Sequence, residues 1–318
     1  MVLYLTEKDV EQLITMSLAI DVVEKAFHQL GQGRAEVIPR RRLHMPRGML
    51  HLMAASLPDM GYMGYKSYTV FSGRAHFHIH LYSAESGELL SILEADRLGQ
   101  IRTGAASGVA TRWMARVDSR VVGIIGSGSQ ASSQLEAVCQ VRPPNLVLAS
   151  GRSAQKLKEF CITMQERLQI PCTPVGSSDE LMQSADILIT ITSSVSPVFD
   201  GEKLRIGTHI NAAGSNFLVK RELDETCIQK CAAIVVDLKE QAKLECGEFL
   251  APIEKGFLNW ERVRELSEVV STRFLPRTNH KEITLFKSLG LALEDIAVAG
   301  RIYELALEKK LGERLTIN

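Results

Sequence analysis

This chain of 318 residues is defined first by what it does not have. It has no charge excess: 37 Lys and Arg balance 37 Asp and Glu, so nothing implies nucleic acid or an anionic lipid surface as partner. It has no apolar run approaching the roughly 18 residues of a membrane helix. Its first residues, MVLYLTEKDVEQL, lack the basic start and apolar stretch of a secretory leader, so a cytoplasmic protein is expected. Its six cysteines, at 139, 161, 172, 227, 231 and 246, contain no CxxC and follow no disulfide scaffold. Reduced, structural thiols are the reading in such a compartment. Internal repeats and low-complexity tracts are absent too.

What is present is an ordinary globular composition, 45% hydrophobic and 23% charged, on a chain longer than one core usually fills. Two domains are expected. Thr6 and Ser17 can cap two opening helices, the second halted by Gly31. EVIPRRRLHMPRG then reads as a basic loop. MLHLMAAS, YMGYKSYTVF and HFHIHLY read as strands, with SGE at 86–88 as a turn. Residues 95–117 read as a bridging helix. Beyond Arg120 strands alternate with helices: RVVGIIG, NLVLAS, IPCTPV, ADILITIT, THINAAG and AAIVVD. That grammar implies an α/β fold with a doubly wound parallel sheet. After Glu282 the pattern predicts one long helix.

GIIGSGSQASSQLEA, 123–137, holds a GxGxxA turn between an apolar strand and a helix. Gly126 permits the tight turn, Gly128 lets backbone approach a pyrophosphate, and Ala131 allows close helix packing. Ser129 and Gln130 complete the loop, whose helix N-terminus attracts phosphate. In an NAD-binding sheet an acid commonly ends the second strand and holds the free ribose hydroxyl. Here LASGRSAQK has none, and Arg152 and Ser153 suit a 2′-phosphate. NADP(H) is therefore favoured, with NAD(H) possible.

The chain resembles the ornithine cyclodeaminase/mu-crystallin family over nearly its whole length. The resemblance is carried by YKSYTVF, IRTGAASGVAT, GIIGSGSQASSQLEA, ITSSVSPV, THINAAGSN, VVDLKEQAKLECGE and LFKSLGLALEDIAVA. It implies a Rossmann domain over 116–287. It also implies a smaller α+β substrate and dimerisation domain, formed by 1–115 with the C-terminal helix of 288–318. A homodimer through that smaller domain is implied as well.

The resemblance implies substrates that are α-amino or α-imino acids, whose carboxylate needs a cationic clamp. Arg102 is the leading candidate, since guanidinium and carboxylate match in two prongs. Arg41 resembles a second family arginine, although in three adjacent arginines Arg40 or Arg42 could fill the role. Lys66, costly in an apolar strand unless partnered, would face the carboxylate and reacting carbon. Thr103, Thr192, Ser193, Ser194, Gly214, Ser288 and Gly290 would line the cofactor. Asp237, at a strand end, could be catalytic or a helix cap.

Two positions depart from the cyclodeaminase pattern. His51 and Asn216 stand where ornithine cyclodeaminases carry acids, and neither supplies the negative charge that handles a second amine. The expected activity is therefore NAD(P)H-dependent reduction of an α-imino acid, cyclic or formed from a 2-oxo acid, to an L-amino acid. Ornithine cyclodeamination with bound NAD and non-catalytic ligand binding are the alternatives. His76, His78 and His80 share one strand face and read as an interface or solvent face, with no metal expected.

Overall fold

The computed structural model describes residues 1–316. In chain order it begins β1 (Val2–Leu5), α1 (Glu7–Leu13), α2 (Met16–Gly31), β2 (Glu36–Met45), β3 (Gly48–Leu57), β4 (Tyr62–Phe71), β5 (Arg74–Ser83), β6 (Leu89–Glu94) and α3 (Asp96–Met114). An alternating series follows: β7 (Val121–Ile125), α4 (Ala131–Val141), β8 (Leu146–Ser150), α5 (Ala154–Leu168), β9 (Cys172–Pro174), α6 (Ser178–Met182), β10 (Ile187–Thr190) and β11 (His209–Ala212). It continues with α7 (Glu225–Lys230), β12 (Cys231–Val236), α8 (Lys239–Glu245), α9 (Leu250–Glu254), β13 (Val263–Glu265), α10 (Leu266–Val270) and β14 (Ile283–Lys287). Then come α11 (Ala292–Lys309) and β15 (Glu313–Leu315).

The chain divides into two compact units, Met1–Arg102 with the residues from Leu291 on, and Thr103–Gly290. The divisions fall inside α3 and just before α11, where the sequence suggested 115/116 and 287/288. In the first unit, the sheet runs β15-β1-β6-β5-β4-β3-β2. Thr6 caps α1 through a reciprocal bond with Asp9. Thr15, not Ser17, caps α2, which starts earlier than expected; Thr15 is the last extended residue, and its hydroxyl meets the Leu18 N–H at 3.3 Å.

The basic segment expected to be a loop is strand β2. Pairing with β3 overrides its weak intrinsic strand preference. A shift of register between Ile38 and Arg41 marks a bulge. One face of β3–β5 carries Met53, Lys66 and Ile79, paired in register and buried. This face packs against α11, which is buried from Ala292 to Gly300 and also lies against α2. The opposite face carries Leu52, Ser67 and His78 in register.

In the second unit, eight parallel strands run β13-β12-β14-β11-β10-β7-β8-β9. Apolar side chains alternate between two cores: Ile187 and Ile189 enter one, Leu188 the other. The sheet is therefore covered on both faces, a doubly wound Rossmann-like arrangement. The order reverses between β7 and β10, the switch point where ligands bind in such sheets.

The single helix expected after Glu282 is two elements. ITLFK is β14, inserted between β11 and β12 and fully buried, and the helix starts only at Ala292. A strand buried on both faces shows no alternation, so its sequence reads like the apolar helix that follows. β13 also lay outside the expected strands; it has three residues.

Candidate active site

In the first unit, Lys66 and Arg102 converge on one carboxylate. Lys66 Nζ donates to Asp295 Oδ1 at 2.8 Å, and Arg102 Nε donates to the same oxygen at 3.0 Å. Arg102 Nη1 donates to Glu294 Oε2 at 2.6 Å. Both acids sit in the first turn of α11, where the helix dipole favours negative charge, and both are fully buried. The sequence reading missed them. The signal was there: an acidic pair in LALEDIAVAG, a helix apolar all round, must meet buried cations.

Burial pushes the Lys66 ammonium down to about 8; Asp295 pulls upward, while Arg102 and Arg40 push down. Burial also opposes the charge on Arg102, but Asp295 and Glu294 hold it above the usual arginine range. Lys66 can therefore gain or lose a proton near neutrality, and Arg102 stays charged. Phe77 lies under the ammonium, its ring centre 5.1 Å away.

The three arginines are separated by strand face and burial. Arg41 is exposed and paired with the exposed Leu52, on the face away from Lys66. Arg40 is 4% exposed and acts electrostatically on both Lys66 and His51. Arg42 pairs with His51 and Arg41 with Leu52, so strand alternation places Arg40, like Arg42, on the His51 side and Arg41 on the other.

His51 lies on the same face, one paired row from Lys66, stacked on Tyr68 with ring centres 4.1 Å apart. Neither ring nitrogen has a hydrogen-bond partner among the described residues, although the side chain is buried. Burial, then Arg42, Arg40 and His44, push the imidazole down to about 4, so it is neutral at pH 7. His76, His78 and His80 occupy the other face, where His80 stacks on Tyr65. Among the described residues no group of three His, Cys, Asp or Glu is placed to hold a metal.

In the second unit, the glycine-rich turn sits at the carboxyl end of β7. Gly126 has φ +117°, and a Cβ there would lie 2.3 Å from the Ile191 carbonyl oxygen. A Cβ on Gly128 would meet nothing, so its backbone faces open space, and Gly128 and Ser129 are exposed. No side chain among the described residues caps α4 at Gln130. An open glycine before an uncapped helix start fits a pyrophosphate. Gln134, a further residue not expected, donates from the helix to the Thr103 carbonyl at 3.0 Å. Past β8, Arg152 is exposed, and Ser153 caps α5 by accepting from Lys156 N–H.

The remaining expected residues gather at the same sheet edge. Thr192, Ser193 and Ser194 follow β10; Gly214 and Asn216 follow β11; Ser288 and Gly290 follow β14. Asp237 is neither a helix cap nor solvent-facing: its Oδ2 accepts from the N–H groups of Leu289 and Gly290, each at 2.6 Å. It anchors the 288–290 turn.

The family model for the ornithine cyclodeaminase/mu-crystallin family matches residues 2–310. A Δ1-pyrroline-2-carboxylate reductase of Bacillus cereus is 39% identical over 73% of this chain and 71% of its own. The solved Thermococcus litoralis Δ1-pyrroline-2-carboxylate reductase, in complex with NADH and L-proline, is 36% identical with a TM-score of 0.93, over 99% of this chain and 100% of its own. A solved archaeal alanine dehydrogenase, described as a dimer with bound NAD, is also 36% identical with a TM-score of 0.93, over 100% of this chain and 99% of its own.

Proposed function

The chain belongs to the ornithine cyclodeaminase/mu-crystallin family and is an NAD(P)-dependent oxidoreductase of the CH–NH class; from that premise we propose that it reduces an α-imino acid to an L-amino acid. The observation that carries the reading is the buried Lys66–Asp295–Arg102–Glu294 cluster. Its two cations are held by two acids, and Arg40 also acts electrostatically on Lys66. Arg102 donates from Nε and Nη1 to the two acids, which hold its guanidinium in place for the substrate carboxylate.

The nicotinamide, when bound, supplies the hydride. The Gly126–Gly128 turn and the start of α4 would hold its pyrophosphate, and Arg152 would suit the 2′-phosphate of NADP(H). Lys66 is the proton source: with a value near 8 it is protonated at pH 7, and it loses a proton at little cost. His51, neutral and uncharged, suits a substrate with no second ammonium group. The preferred substrate is a cyclic ketimine such as Δ1-pyrroline-2-carboxylate, with the imine of a 2-oxo acid as the open-chain equivalent.

The face of β2–β5 opposite Lys66 supports self-association. It exposes Ile38, Leu43, Met45, Leu52 and Phe71 on one sheet face, and apolar side chains gathered on one exposed face mark an interaction surface. We read it as the homodimer surface.

The test of function is absorbance loss at the reduced nicotinamide band, with NADPH and NADH, against Δ1-pyrroline-2-carboxylate and against pyruvate with ammonia. Faster loss with the cyclic imine and NADPH supports the reading. No loss with any imine overturns it.

A further inference from the structure

Glu222 is a fully buried carboxylate with no part in the clamp or the phosphate turn. Its Oε1 accepts from the Thr192 N–H at 2.6 Å. Its Oε2 accepts from the Gly214 N–H at 2.8 Å and from the Thr190 hydroxyl at 2.9 Å. Three donors on one buried carboxylate form a strong, charge-assisted set. They come from two different strand ends, because β10 ends at Thr190 and β11 at Ala212. The two backbones lie so close that a Cβ on Gly214 would sit 2.3 Å from the N and O of Thr192.

The Glu222 N–H in turn donates to Glu248 Oε1 at 3.1 Å. Glu248 pairs with Lys287 at 3.2 Å, and the Lys287 ammonium donates to the Ser215 carbonyl at 2.8 Å. Burial opposes the charge on Lys287, but Glu248 beside it holds the ammonium above its ordinary value. Lys287 is the last residue of β14. The loops beyond β10 and β11 and the end of β14 are thus tied to one buried chain of charges.

We propose that Glu222 is a positioning residue for the nicotinamide half of the dinucleotide. The inference rests on the dinucleotide reading above. In a doubly wound sheet one nucleotide half binds beyond the first two strands, here β7 and β8, and the other binds beyond the strands across the switch point, here β10 and β11. Among the described residues, the donors to the Glu222 carboxylate all come from the second set. It fixes the peptide at Thr192, whose hydroxyl accepts from the Ser194 N–H at 3.2 Å, and so sets the 192–194 turn.

The test separates the two halves of the ligand. Native protein, Glu222→Gln and Gly214→Ala are titrated with reduced dinucleotide by nicotinamide fluorescence. They are titrated by calorimetry with ADP-ribose, or its 2′-phosphate if NADPH is preferred. The amide of Glu222→Gln can no longer serve all three donors. The Gly214→Ala methyl wedges the same loops apart and stands in should Glu222→Gln fail to fold. Both variants should bind the reduced dinucleotide about tenfold or more weakly and ADP-ribose within about twofold of native. Equal weakening of both ligands, as from general loosening, or unchanged dinucleotide binding overturns the proposal. Native protein that binds neither ligand overturns the dinucleotide reading itself, and the proposal with it.

Discussion

Arg40, Arg41 and Arg42 are chemically identical, and only burial sorts them. Arg40 faces Lys66, while Arg41 is exposed on the opposite face. Arg40→Ala is expected to raise KM for the imino acid about tenfold, the loss of one charged contact, and Arg41→Ala to leave it within about twofold. Steady-state kinetics on the two variants decides, and equal effects would reject the assignment. These are better probes than Arg102→Ala, which strands two buried acids at a cost of about 3–5 kcal/mol and threatens the fold. Lys66 gives a second prediction. The proposed proton transfer requires its protonated form, and its value lies near 8. kcat/KM should therefore hold below pH 7 and fall as pH rises through about 8, with His51, already neutral, adding no inflection above pH 5. A flat profile from pH 6 to 9 would remove Lys66 as proton source. Lys66 and Arg102 were legible because a charge in an apolar strand and the IRTGAA motif both stand out. Arg40 was not, because three adjacent arginines carry no local mark of which one the fold buries. Glu294 and Asp295 were passed over inside a helix read as packing.

Strand ends carry most of the remaining chemistry. The turn after β7 and the end of β8 were legible, since glycine spacing and the missing acid are local features. The anchors Glu222 and Asp237 reach distant backbone, as in the Glu222 to Thr192 bond with a separation of 30 and the Asp237 to Leu289 bond with one of 52, and no local pattern reports that. β14 was hidden for the reason that makes it stable: it is buried on both faces, so its apolar run carries no period. Arg152, exposed just past β8, gives the prediction at this scale. Arg152→Ala should lower the ratio of kcat/KM for NADPH over NADH about tenfold, mainly through NADPH. An unchanged ratio would leave the 2′-phosphate without a partner and shift the cofactor preference to NADH.

At the scale of the molecule, the doubly wound half was readable from alternating strand and helix, and the first unit was readable as strands with helices. Its sheet order was not, because β1 pairs β6 from Leu3 to Ser91 and β15 from Val2 to Leu315, far beyond any local pattern. The exposed apolar face of β2–β5 predicts association. Leu52→Glu should convert a dimer to a monomer by light scattering at micromolar concentration, while a native monomer there would reject the surface. The central claim is hydride delivery to an imine carbon held by its carboxylate. Its most direct measurement uses nicotinamide dinucleotide deuterated at both C4 positions, with Δ1-pyrroline-2-carboxylate and NMR of the product. The account predicts L-proline carrying one deuterium at Cα. Proline without deuterium, or no proline alongside ready release of ammonia from ornithine, would contradict it.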